Sequence, residues 1–255
     1  MTDKYAIFLD LDGTLAGRKG VNRKNIEAIK KARELGHYVF ANTGRAKSWI
    51  EPKLTDGIRF DGIISGLGSL IELDGEPIYE NLIPEDIVFK CTEYFTKKSS
   101  CFFVSGVNVG FITNPLPFLP VNTLKKFKSI EEFKRIFNSE KIQKIEVFGG
   151  IKKEDSAFLA QYLDVYDHSL YCECAIKGCT KAGAIKLVLD RLGIKRENSI
   201  AMGDSLNDID MLKCAGTAVA VGNAVPEVKK IADFISTSCD EGGVGYAIEE
   251  LLLKK

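Results

Sequence analysis

Short apolar runs that end in acidic or small polar residues, each followed by a stretch of helical spacing, recur at both ends of this chain and limit what it can fold into. Tyr5 to Leu9 is such a run, suited to a strand buried on both faces, and it gives way to a turn rich in Asp and Gly. Asn22 is a good N-cap for the helix marked by Ile26, Ile29, Ala32 and Leu35. Gly36 stops that helix, and Tyr38 to Ala41 forms a second strand. The rhythm resumes late in the chain, with a helix over Lys181 to Leu192, a strand at Ser199 to Met202, a helix at Asn207 to Cys214 and a strand at Thr217 to Val221. Strands alternating with helices predict an α/β fold: a Rossmann-like, mainly parallel sheet covered on both faces, which binds ligands beyond the carboxyl ends of its strands.

Between these halves the texture changes. Asp74-Gly75 reads as a hairpin turn, Pro84 opens a helix, and Pro115, Pro117 and Pro120 interrupt the chain. Helices are expected near Asp86 to Lys97, Ile130 to Phe137 and Glu154 to Leu163, and strands near Cys101, Phe111, Ile145 and Tyr171. This is the pattern of an inserted α+β domain on a partly antiparallel sheet. The division is a core in two segments, 1–82 and 181–255, around an insertion at 83–180.

The two ends of the chain carry the chemistry. Asp10-Leu11-Asp12-Gly13-Thr14 follows the first strand directly, and the two-residue spacing can turn both carboxylates to one side of the sheet edge. At ordinary residue frequencies such a match arises by chance with a probability on the order of 0.005. An Asp-Gly turn ending a strand would explain Gly13, but neither the second acid nor Thr14. A carboxylate that attacks a phosphate ester needs a cation to neutralise the phosphoryl oxygens, and Mg2+ is the hard ion held by one or two carboxylates plus substrate. A second acidic cluster is therefore required. Gly203-Asp204-Ser205-Leu206-Asn207-Asp208 supplies it at another strand end, with Asp204 the candidate metal ligand. Read alone, that cluster is also a good helix N-cap. Thr43-Gly44-Arg45 offers a hydroxyl and a close-approaching backbone for an anion, and Lys181 an ammonium at a helix start.

Other functions find little support. Thirty-five basic residues balance thirty-five acidic ones, so no overall field draws the protein to nucleic acid or an anionic membrane, and a small-molecule partner is favoured. Leu124 to Lys128 is a basic stretch read as a solvated lead-in to a helix. No apolar stretch approaches the length of a membrane span, and the cytoplasm is the expected compartment. The seven cysteines read as free buried thiols; Cys172, Cys174 and Cys179 fit no zinc spacing. No Gly-x-Gly-x-x-Gly follows a strand, and neither His37 nor His168 adjoins a nucleophile motif. Lys177, Glu173, His168 and Asn108 read as solvated polar residues.

The four clusters, in this order and on these elements, resemble the four motifs of the haloacid dehalogenase superfamily. The long insertion and the ending Gly222-Asn223-Ala224 to Gly242-Gly243-Val244 resemble its Cof-type sugar-phosphatase branch, with a large α/β cap. The resemblance implies a Mg2+-dependent phosphatase for a small phosphorylated metabolite, first of all a sugar phosphate. In it Asp10 forms a phosphoaspartate, and Asp12 acts as acid and base while giving its carbonyl to the metal. Asp10 and Asp204 bind the ion, Asp208 supports them, and Thr43, Gly44, Lys181 and Asn207 hold the phosphoryl group. A phosphosugar mutase with the same intermediate and a catalytically silent binding protein are the alternatives. Asn42 before Thr43, Gly66-Leu67-Gly68, and Ser205-Leu206 depart from the family pattern.

Overall fold

A computed structural model describes residues 3–55, 57–98, 101–114 and 124–254. Pro115, Pro117 and Pro120 lie outside the described residues. The chain divides into two compact units, one of Met1–Gly44, Ile50–Tyr79 and Thr180–Lys255, the other of Arg45–Trp49 and Glu80–Cys179.

The first unit begins with β1 (Ala6–Leu9), a small ribbon of β2 (Ala16–Gly17) and β3 (Gly20–Val21), and α1 (Arg23–Glu34). Asn22 caps α1 by accepting a hydrogen bond from the Lys24 amide, as its position before the periodic run predicts. Then come β4 (Tyr38–Asn42), β5 (Gly62–Ser65), β6 (Leu70–Leu73) and β7 (Glu76–Glu80). The Asp74-Gly75 turn between β6 and β7 has φ of 50° and 86°, the left-handed pair that a two-residue hairpin needs.

The second unit contains α2 (Glu85–Thr96), β8 (Cys101–Gly106), β9 (Gly110–Ile112), β10 (Leu124–Lys126), α3 (Ile130–Phe137), β11 (Ile142–Phe148), α4 (Lys153–Ala160), β12 (Leu163–Asp167) and β13 (Tyr171–Ile176). The chain then returns to the first unit through α5 (Lys181–Leu192), β14 (Ser199–Gly203), α6 (Ile209–Cys214), β15 (Thr217–Ala220), α7 (Pro226–Ile231), β16 (Phe234–Ile235) and α8 (Gly243–Ile248).

The sheet of the first unit runs β16-β15-β14-β1-β4-β5-β6-β7. Pairing is parallel from β16 to β5 and antiparallel between β5 and β6. Alternate residues of β1 feed opposite layers: Ala6 and Phe8 pack with residues of α5, α6 and α7, Ile7 and Leu9 with residues of α1 and α8. That two-sided burial is why β1 reads as an unbroken apolar run. It also makes β1 and its neighbours β14 and β4 central, so their carboxyl ends open side by side.

In the second unit the order is β10-β9-β8-β11-β13-β12, antiparallel except for the β10 and β9 pair. α2, α3 and α4 supply the apolar cluster on one face, and Phe133 sits at its centre, 4.8–6.1 Å from the rings of Phe127, Phe111, Phe137 and Phe89. Several local expectations need correction. Leu124 to Lys126 pairs with β9 instead of leading into a helix, which starts at Ile130 behind the Ser129 cap. The helix expected to reach Leu163 ends at Ala160, because Leu163 to Asp167 is captured as an edge strand by β13. Glu173 is not solvated: at 8% exposure it meets the Lys144 ammonium at 2.6 Å. Arg45 to Trp49 groups with the second unit. All seven cysteines are free, and Cys172 and Cys174 face the apolar cluster. Among the described residues, no helix is long and apolar enough to cross a membrane.

Truncating Phe133 to Ala should cost about 3–5 kcal/mol, since it removes a fully buried ring from among four others. Urea unfolding monitored by circular dichroism would measure it, and a loss under about 1 kcal/mol would show that the cluster collapses around the gap.

Candidate active site

Three adjacent strands deliver the site. β1 ends at Asp10, β4 at Asn42 and Thr43, and β14 at Gly203 and Asp204, all at the same edge of the parallel sheet. The Asp10 amide extends the pairing of β1 by donating to the Met202 carbonyl at 3.1 Å. The chain then turns tightly through Gly13, whose φ of 80° and closeness to the Asp204 carboxylate leave no room for a Cβ. Thr14, fully buried, donates its hydroxyl to Asp204 Oδ1 at 3.2 Å, and Asn223 donates to the Gly13 carbonyl at 2.7 Å.

Lys181 is the first residue of α5, behind the Thr180 cap, whose side chain accepts from the Gly183 amide. Only 3% exposed, it places its ammonium 2.6 Å from Asp10 Oδ1 and 2.7 Å from Asp208 Oδ1. Asp208 is fully buried and its second oxygen is also engaged, accepting from the amides of Asp204 and Ser205 and from the Ser205 hydroxyl. Its carboxylate therefore orients both Lys181 and the Asp204 loop. Thr43 is buried at the end of β4; its amide donates to the Ile64 carbonyl at 2.9 Å and its carbonyl accepts from Leu67 at 3.3 Å. Gly44 follows, against the Leu67 side chain. Leu67 itself has a φ of 58°, a left-handed backbone that costs a non-glycine residue on the order of 1 kcal/mol and sits beside the phosphate-binding candidates.

The structure thus brings Asp10, Lys181, Asp204 and Asp208 together. Asp12 stands two residues on and is exposed. Asn207 is exposed as well, its Oδ1 accepting from Ser205 at 2.7 Å. Sequence analysis assigned no partner to Thr14, Asn223 or Asn42, because each pairs with a residue at least 139 positions away.

Charge is out of balance here. Asp10, Asp204 and Asp208 each offer an oxygen, all within 4.8 Å of one another. Burial raises Asp10 to about 7; Lys181 opposes the shift and Asp208 and Asp204 add to it. Burial likewise lifts Asp204 to about 6, with Asp208 adding and Thr14 opposing. Burial works against the charge on Lys181, but Asp10 and Asp208 outweigh it and hold the ammonium above its usual range. One ammonium among three carboxylates leaves uncompensated negative charge in a poorly solvated place. All-oxygen donors suit a hard divalent cation and not a thiophilic one, so the residues fit such an ion.

The family described as haloacid dehalogenase-like hydrolase matches residues 7–248. A putative phosphatase, YkrA, of Bacillus subtilis is 29% identical over 99% of this chain and 100% of its own length. From the same organism, the 5-amino-6-(5-phospho-D-ribitylamino)uracil phosphatase YcsE is 31% identical over 98% of this chain and 97% of its own. The solved structure of a subclass IIB sugar phosphatase superposes with a TM-score of 0.79 at 27% identity, covering 97% of this chain and 98% of that one.

Both raised carboxylates have folded values above the ordinary 3.8, so the metal-free protein holds extra protons between the two. The stability they confer is present below the lower value and is lost as pH rises toward 7. A divalent cation favours the ionised forms and should restore it. Saturating cation should raise Tm by several degrees near pH 7.5 and by close to nothing near about pH 5. Equal gains at both would mean that these acids do not bind the ion.

Proposed function

We propose that this chain, which belongs to the haloacid dehalogenase-like hydrolases, is a Mg2+-dependent phosphatase that hydrolyses a small phosphorylated metabolite through a phosphoaspartate on Asp10. The observation that carries the reading is the buried Asp10 carboxylate, at a strand end, held by the Lys181 ammonium and within ligand distance of Asp204 and Asp208.

Asp10 attacks phosphorus, forming a new P–O bond as the ester P–O bond breaks, and Asp12 gives its proton to the departing oxygen. The ionised Asp12 then takes a proton from water. The water oxygen attacks the phosphoaspartate, releasing inorganic phosphate and returning Asp10 to a carboxylate. The exposure of Asp12 supports this shuttling role, since both the leaving group and water need access to it. Lys181 and Thr43 grip the phosphoryl oxygens, with the Gly44 backbone and Asn207 as further donors. Mg2+, held by Asp10, Asp204 and the Asp12 carbonyl with Asp208 behind, supplies neutralisation of the charge on carboxylates and phosphoryl group.

The names of the relatives support a substrate class. One is named for a phosphorylated ribityl compound and another as a sugar phosphatase, which supports a phosphorylated sugar or polyol. The phosphatase names also favour hydrolysis over a mutase or a silent scaffold.

Two substitutions test the mechanism with a generic aryl phosphate and a panel of sugar phosphates. Asp10→Asn should reduce Mg2+-dependent phosphate release to background while the circular dichroism spectrum is kept; turnover near wild type would refute the nucleophile. Asp12→Asn should slow the reaction by about 10²–10⁴-fold, most with poor leaving groups, and an unchanged rate on an alkyl phosphate would remove Asp12 from acid and base duty. Substrate isomerised without stoichiometric release of phosphate would instead identify a mutase.

A further inference from the structure

Asn42 is the last residue of β4, fully buried, and directly precedes Thr43. Its Nδ2 donates to the backbone carbonyl of Lys181 at 3.2 Å and lies 3.6 Å from the Met211 sulfur. Its Oδ1 has no hydrogen-bond partner among the described residues. A buried amide with one end unmatched is a poor choice for stability, because a small apolar residue would remove the unmet acceptor. The useful end of Asn42 is the donor, which reaches the one residue whose ammonium contacts both Asp10 and Asp208.

We propose that Asn42 is a positioning residue for Lys181: by holding the Lys181 carbonyl it fixes where α5 begins, and so where the ammonium stands between Asp10 and Asp208. The inference rests on the phosphatase reading above. A lysine side chain turns about four bonds, so its head group stays in place only if its base does. The base of Lys181 is held by Asn42 from β4, while Thr180 caps the helix and Gly68 lies against the Thr180 carbonyl, too close for a side chain. Because Asn42 is covalently joined to Thr43, the same hydrogen bond couples the two groups assigned to the phosphoryl oxygens. A shift of about 1 Å at such a contact can cost about a hundredfold in rate.

A double-mutant cycle on magnesium-loaded protein tests this with an aryl phosphate. Asn42→Ala should lower kcat/KM between about tenfold and a hundredfold, while Tm stays within a few degrees of wild type or rises. In a Lys181→Ala background the same change should cost less than about twofold, because there is no ammonium left to place. Asn42→Asp keeps the shape but lacks the Nδ2 donor and should fall at least as far as the alanine variant; it carries the cycle if Asn42→Ala does not fold. Equal losses in both backgrounds, or wild-type kinetics in the single variant, would overturn the proposal. Absence of phosphate release from wild type would instead defeat the phosphatase reading. The cycle would then be read from the Tm rise induced by inorganic phosphate, with the same pattern expected and the same additive result fatal.

Discussion

A buried ammonium between two buried carboxylates ties together parts of the chain that are distant in sequence: Asp10 after β1, Lys181 at the start of α5 and Asp208 ahead of α6. Removing one partner of such a pair leaves an uncompensated charge and costs about 3–5 kcal/mol, so the arrangement is held by mutual need more than by net attraction. Burial first, and the neighbouring Asp208 carboxylate second, raise the carboxyls of Asp10 and Asp204, and Lys181 offsets only part of that shift. The fold keeps its acids at the end of a sheet where a doubly charged ion and a phosphoryl group can complete the balance.

Regularity and strain are unevenly distributed. The two apolar layers of the first unit are filled by Ala, Ile, Leu, Val and Phe from ordinary strands and helices. The carboxyl edge of the same sheet collects the left-handed Leu67, the crowded Gly13 and the unmatched Asn42 oxygen. At these three positions the chain accepts a locally unfavourable arrangement beside the candidate site, held in place by the well-packed layers of the sheet.

Much of this was legible because the informative signals are local. Apolar runs marked β1, β4 and β14, Asn22 and Gly36 marked the ends of α1, and the acids at two strand ends pointed to one cation. What escaped depended on partners elsewhere in the chain. Leu163 reads as the end of a helix and instead opens a strand that pairs with β13. Glu173 reads as a solvated acid until Lys144 on the neighbouring strand neutralises it. The Asn42 contact spans 139 positions, so no window of sequence could contain both of its ends.

The position of β1 has a further consequence for how the molecule comes into being. This strand lies between β4, made soon after it, and β14, whose Ser199 can pair with Ala6 only once the whole insertion and α5 have been synthesised. At roughly 5–20 residues per second, one side of β1 waits on the order of ten seconds or more at the ribosome without its neighbour. Pairing across such a long separation is also intrinsically slow. During that interval the nascent chain exposes an unpaired, hydrophobic edge, the kind of surface that holding chaperones shield and that drives truncated products to aggregate.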